Sequence, residues 1–193
     1  MNQYTPPHNP KKAIILSLLC FIAAAGLLIA GALDVGCRLL MQLAALTAAV
    51  AGIQITSRFI LNVYTYIVET NEDGGFDFIV IKNANKSRKT VCNLNMSTGI
   101  AIVPHSRIKE TEKQFGRIRR SFYYTSNMTP IKPGDSNRNP GAETSFYDYV
   151  FEFNNEIHVI VIECSESFMN YIKARIGNQE QTNDMIDSFG NGE

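Results

Sequence analysis

The chain has 193 residues, with 18 Lys+Arg against 18 Asp+Glu and so no net charge. That length holds one domain of ordinary size plus something extra, and the neutral balance argues against a dedicated nucleic-acid binder, which carries a basic excess. Hydrophobic residues make up 45% of the chain, which excludes disorder throughout, and four cysteines are too few for a disulfide scaffold.

Residues 1–12 form a short polar N-terminal segment, and the apolar residues concentrate just after it. Ala13 to Leu33 is a run of 21 residues without a charge. As a helix it spans a hydrocarbon core about 30 Å thick, and it has no polar face to turn toward water. Leu39 to Ser57 is a second run of 19 uncharged residues, softened by Gln42, Thr47, Gln54 and Thr56. Five residues, Asp34 to Arg38, join the two, which suits a tight antiparallel transmembrane hairpin over 13–61. Ala30-Gly31-Ala32 matches a signal-peptide cleavage pattern. The length of the first run and the closeness of the second favour an uncleaved hairpin.

Small residues recur every four positions, as Gly26 and Ala30 in the first run and Ala44, Ala48 and Gly52 in the second. In lipid such residues let helix backbones approach closely, either within the hairpin or between copies in a homo-oligomer. Lys11, Lys12 and Arg58 flank the outer ends of the spans, and Arg38 lies in the connection. That bias puts both termini in the cytoplasm and the protein in the cell membrane as a two-span anchor.

The region 62–177 reads as mostly β. Tyr64–Glu69 and Phe76–Lys82 flank a turn at Asn71-Glu72-Asp73-Gly74-Gly75, whose glycines tolerate positive φ. Shorter strands follow at Thr90–Asn95 and Ile100–Val103. His105–Arg117 is either a short helix or an exposed loop, and Arg119–Ser126 is a fifth strand. The Pro- and Gly-rich stretch Thr129–Ser145 is a long loop. Phe146–Phe153 and Ile157–Cys164 form a hairpin around Asn154-Asn155. A two-residue turn there sets Phe151 opposite His158 and Tyr149 opposite Ile160, and a three-residue turn shifts that register by one. Ser165 is an N-cap for a helix whose apolar stripe is Phe168, Ile172 and Ile176, with Gly177 as its stop. Residues 178–193 carry four acidic and no basic residues and read as a disordered tail.

Seven strands and one amphipathic helix, an α+β composition with mainly antiparallel strands, resemble bacterial pleckstrin-homology-like (PH-like) domains. The resemblance rests on Phe146–Phe153, Ile157–Cys164 and the stripe Phe168, Ile172, Ile176. It covers about Tyr64 to Gly177 and is one of pattern, not of motif. It implies a barrel or sandwich of two nearly orthogonal sheets with a C-terminal helix plugging one end. Membrane-anchored members often place two spans just before the domain, as here.

The chemistry-bearing residues are sparse. His8, His105 and His158 are the three histidines, and no CxxC, HxxxH or HExxH spacing supports a metal site. No P-loop, GxGxxG or GxSxG occurs, so neither a cofactor nor a catalytic constellation is expected. His158 alternates with core positions and reads as half-buried and structural. Cys92 and Cys164 read as reduced core thiols. Arg107, Lys109, Lys113, Arg117, Arg119 and Arg120, offset by Glu110 and Glu112, give a local +4. From Phe59 onward the chain otherwise leans acidic, with 14 basic and 17 acidic residues. Such a patch is either a solvated surface or a contact for anionic lipid headgroups or for a membrane protein partner. The expectation is therefore a non-enzymatic, membrane-anchored interaction platform at the cytoplasmic face. The alternative is a membrane enzyme or transporter accessory subunit whose site is built from His105, His158 or acidic residues.

Overall fold

The structure, a computed structural model, describes residues 1–33, 37–85, 87–135 and 142–176. Two long helices, α1 (Lys11–Ala32) and α2 (Arg38–Ile55), form the hairpin, and α2 continues as a π-helical turn over Thr56–Ile60. Both are long and apolar enough to cross a membrane. Their contact face is made mostly of small residues. Ala13, Ser17, Ala24 and Gly31 of α1 are buried, as are Ala45 and Gly52 of α2. The Ser17 hydroxyl donates to the Gly52 carbonyl at 3.2 Å and meets the Thr56 hydroxyl at 2.7 Å. Leu18, Leu19, Ile22, Leu39, Leu43 and Ile53 point outward.

Two four-stranded sheets follow. Strands β1 (Asn2–Tyr4), β2 (Asn62–Thr70), β3 (Phe76–Ala84) and β4 (Ser87–Asn95) make the first, in the order β1-β2-β3-β4. Strands β5 (Gly99–Pro104), β6 (Ile118–Tyr124), β7 (Ser145–Phe153) and β8 (Glu156–Cys164) make the second, in the order β5-β7-β8-β6. Helix α3 (Ile108–Phe115) precedes β6, so His105–Arg117 is partly helical. A helix α4 over 166–176 closes the described chain, and the Ser165 hydroxyl caps it by accepting from the Phe168 amide at 3.4 Å. The predicted stop at Gly177 and the predicted disorder of 178–193 lie outside the described residues.

The two-residue turn is the one formed. Asn154 and Asn155 both take positive φ, 53° and 59°, as a type I′ hairpin turn requires. Phe151 accordingly faces His158, and Tyr149 faces Ile160. The core lies between the sheets and under α4. Tyr66, Phe78, Met96, Tyr149, Ile160, Ile162 and Ile172 are fully buried there.

Three features differ from the expectation. First, the N-terminal segment is not separate from the domain: β1 pairs antiparallel with β2, Asn2 to Val68 and Tyr4 to Tyr66. Tyr4 also stacks on Phe168 of α4 at 4.9 Å. The hairpin thus leaves a sheet and returns to it. Second, the strands are mainly antiparallel, as expected, but one pair is parallel, which the sequence did not show. β6 runs parallel to β8, because the long connection after Tyr124 lets the chain cross to the far side before β7 begins. Third, the sheets do not close into a barrel. β4 and β6 are each at the edge of a sheet.

Candidate functional site

The edges of β4 and β6 run along a groove of about 400 Å³. Val91, Cys92, Asn93 and Leu94 line it from β4, and Arg120, Phe122 and Tyr124 from β6. Phe151, Phe153, His158 and Ile160 complete it from β7 and β8.

Two β-bulges shape this groove. The ladder between β6 and β8 slips between Ile118 and Arg120, so that Arg120, not Arg119, pairs with His158. Arg120, Phe122 and Tyr124 then share the inner face with His158, Ile160 and Ile162. The ladder between β3 and β4 slips between Val80 and Ile81, leaving Val91 as the extra residue. The Tyr124 hydroxyl donates to the Val91 carbonyl across the groove at 3.4 Å. A side chain, not a backbone ladder, bridges the two edges there. Toward Arg120 and Phe153 the groove stays wide. Phe122 is 37% exposed and Phe153 57% exposed.

His158 forms part of the groove wall. It is 8% exposed, stacks on Phe151 at 5.5 Å and meets the edge of Phe153 at 6.4 Å. Its Nε2 lies 3.9 Å from the Glu156 carboxylate, and its Nδ1 is buried without a hydrogen-bond partner. Burial pushes the nearby Cys92 thiol up to about 11 and the Cys164 thiol up to about 12. Both therefore stay protonated and unreactive near neutral pH.

The foot of the hairpin is tied to the domain by a separate set of contacts. The Lys12 ammonium donates to the Thr129 hydroxyl at 3.0 Å, and the Asn9 amide N–H donates to the Asn127 side chain at 2.8 Å. The Arg58 guanidinium lies over the Tyr123 ring at 5.6 Å. Asn127 in turn is held by Glu163. Its backbone N–H and its side-chain amide donate to the two carboxylate oxygens at 3.1 and 2.7 Å, and the Thr144 hydroxyl donates at 2.9 Å. Glu163 has no solvent exposure, and burial raises its carboxyl above the ordinary value even though these donors oppose the shift. Nearby, His105 Nδ1 lies 2.6 Å from the fully buried Asp148 carboxylate. Burial also raises Asp148, and His105 opposes the rise.

In comparisons with protein families, curated proteins and solved structures, nothing matches the chain. The site is therefore read from its own residues.

The six basic residues singled out in the sequence do not form one face. Lys109, Lys113 and Arg117 surround a shallow cleft with Glu112. Arg107 sits in the 3₁₀ turn before α3, where its carbonyl accepts from Thr111. Arg119 is drawn to Glu156 at 3.5 Å, both side chains being well exposed, and Arg120 enters the groove. None of the six is among the residues tying the domain to the hairpin foot. The basic residues at that level are others. Asn62, which follows α2 directly, pairs with Ala84, and Ala84 pairs with Ser87. The β3–β4 turn thus lies beside the foot and brings with it Lys82, Arg88 and Lys89.

Of the five small residues, Gly52 is packed in the hairpin. A Cβ there would meet the Phe21 ring at 3.1 Å and Cys20 at 3.3 Å. Ala30 and Ala48 are half-buried, while Gly26 and Ala44 point outward, and a Cβ at Gly26 would meet nothing within 4 Å. Sequence reasoning missed the buried Asp148 and Glu163. Their signal was a carboxylate flanked on both sides by apolar or aromatic residues within a strand, Tyr147 and Tyr149 for Asp148 and Ile162 and Cys164 for Glu163.

Proposed function

We propose that this chain is a membrane-tethered, non-enzymatic PH-like module at the cytoplasmic leaflet, and that a partner protein at the same membrane docks along the unclosed edges of β4 and β6. The observation that carries the reading is that groove, on a domain fixed to the hairpin through both β1 and β2. An apolar cleft bounded by two sheet edges supplies side-chain pockets and free backbone groups together, which is what strand addition uses. Among the described residues no hydroxyl or thiol joins His105 and the buried Asp148 in their hydrogen bond, and this favours binding over chemistry at that position.

The orientation follows from charge. Lys11, Lys12 and Arg58 mark the foot, and Lys82, Arg88 and Lys89 lie at the same level. Basic residues held at an anionic leaflet contribute about 1 kcal/mol each. The cytoplasmic leaflet is the anionic one, so these residues hold the domain against it.

The test is site-specific photo-crosslinking from position 122 of the full chain in membranes, with position 115 on α3 as the control. The expected result is an adduct from 122 alone, confirmed by a reciprocal crosslink from the adduct partner back to β4 or β6. Absence of any adduct specific to position 122 contradicts the reading.

A further inference from the structure

We infer that a cleft at the foot of the hairpin binds one phospholipid whose headgroup carries both a phosphate and a primary ammonium. The cleft is separate from the groove, and all it shares with the docking reading is the bilayer around the hairpin.

The first observation is a cavity. A space of about 270 Å³ lies between the first turn of α1 and the segment 127–135. Pockets for drug-sized ligands run to about 300–1,000 Å³, so this one suits a headgroup rather than a larger solute. Ala13, Asn127 and Ile131 line it and are buried. Asn127 is clamped between the Asn9 amide and the Glu163 carboxylate. The cleft is therefore preformed, and an occupant does not have to order it.

The second observation is charge of both signs. Lys11 and Lys12 line the cleft from α1, and Asp135 lines it from the facing segment. Among the described residues no ion pair joins them. Each side is positioned by a neutral partner instead. The Lys12 ammonium donates to the Thr129 hydroxyl at 3.0 Å, and the Asp135 carboxylate accepts from the Lys132 amide at 3.3 Å. An ammonium has three donors and a carboxylate about four acceptor sites, so both keep capacity for a ligand. A phosphate meets the lysines and a primary ammonium meets Asp135. A glycerol headgroup brings no cation for Asp135, and a quaternary ammonium has no N–H to donate to it.

The third observation is depth. Ile14 and Ile15 follow Ala13 directly and are exposed, as is Leu18 one turn later. A helix rises about 1.5 Å per residue, so the cleft lies within one turn of side chains that face hydrocarbon. A lipid seated by its headgroup lays its chains along Ile14, Ile15 and Leu18. A water-soluble phosphate ester has no chains to place there, which selects the lipid over its free headgroup.

The experiment is native mass spectrometry of the full chain in detergent micelles. Phosphatidylethanolamine, phosphatidylglycerol and phosphatidylcholine with identical chains are supplied in equal amounts. The expected result is one retained phosphatidylethanolamine per chain, favoured about tenfold over the other two, the worth of one charge-assisted hydrogen bond. Asp135→Asn should remove that preference, and Lys12→Gln should lower retention of all three lipids. Asp135 is exposed, and asparagine keeps an acceptor oxygen for the Lys132 amide. Asp135→Lys should turn the preference toward phosphatidylglycerol, a gain that misfolding does not produce. Lys109→Gln, on α3 and outside the cleft, should change nothing. Equal retention of the three lipids, preference for phosphatidylglycerol by the parent chain, or a preference that survives Asp135→Asn overturns the inference. So does retention of soluble phosphoethanolamine as strong as that of the lipid. The photo-crosslink from position 122 reads a different surface, so a failure here leaves the docking reading standing.

Discussion

In the β domain the largest side chains point inward: Tyr66, Phe78, Tyr149 and Ile160 are shut off from solvent. In the hairpin they point outward, and the helices meet through alanine, serine and glycine. The difference teaches what each part meets outside itself. In water, burial of apolar area drives packing at about 25 cal/mol per Å². Between helices in hydrocarbon that drive is absent, and close approach of small residues with a few interhelical hydrogen bonds takes its place. One chain carries both patterns, which supports a bilayer around the first and water around the second.

The comparison breaks most sharply at Tyr149. Tyr149→Ala should destabilise the β domain by about 3–5 kcal/mol, seen as a lower melting temperature, while extraction of the chain from membranes by carbonate stays unchanged. Ile22→Lys, on the outward face of α1, should do the reverse. It should reduce membrane integration by about 3 kcal/mol on an insertion scale and leave the melting of the domain where it was. If either substitution moves both readouts equally, the two parts do not have separate solvents.

A smaller effect is expected at the join. Glu163→Gln replaces one acceptor oxygen with an amide that faces the Asn127 N–H. It should cost about 1–3 kcal/mol and loosen the segment that holds Asn9 and Lys12. The pH dependence has a definite sign. Glu163 and Asp148 have ordinary values of 4.5 and 3.8, and both are raised in the fold. The folded state therefore binds these protons more tightly than the unfolded chain, and stability falls as pH rises through the raised values. A melting series upward from pH 4 should show this decline. It should flatten in Asp148→Asn and Glu163→Gln, and an unchanged slope in both contradicts the assignment. The smallest effect is at Ser17. Ser17→Ala should weaken the hairpin by about 0.6 kcal/mol, measured as increased splaying between spin labels on α1 and α2.

The parts legible in the sequence were those set by local pattern. Asn154-Asn155 marked where the turn falls, while the choice between the two registers came from the structure, which sets Phe151 against His158. The stripe Phe168, Ile172, Ile176 belonged to a helix because no other element brings positions four apart together. The apolar runs declared the hairpin by length alone. The remainder depended on partners distant in sequence. Residues 2–4 pair with a strand some sixty positions later, and three residues carry no periodicity from which to read that. Parallel pairing of β6 depends on where a long connection crosses. The bulge before Arg120 decides which of two adjacent arginines enters the groove, and alternation by itself assigns either. For the small residues, periodicity gives a face but not which face meets the partner, so Gly26 and Gly52 look alike in sequence and differ in place.

The most direct test of the central claim, a bilayer-spanning hairpin that returns the chain to one sheet on the starting side, is cysteine accessibility in intact cells. Cys37 lies exposed at the tip of the hairpin, and burial holds Cys92 and Cys164 protonated and slow to react. A membrane-impermeant maleimide should label Cys37 in intact cells. It should label Phe153→Cys, in a chain lacking Cys37, only after the membrane is permeabilised. Labelling of position 153 in intact cells, or protection of Cys37, would contradict that topology.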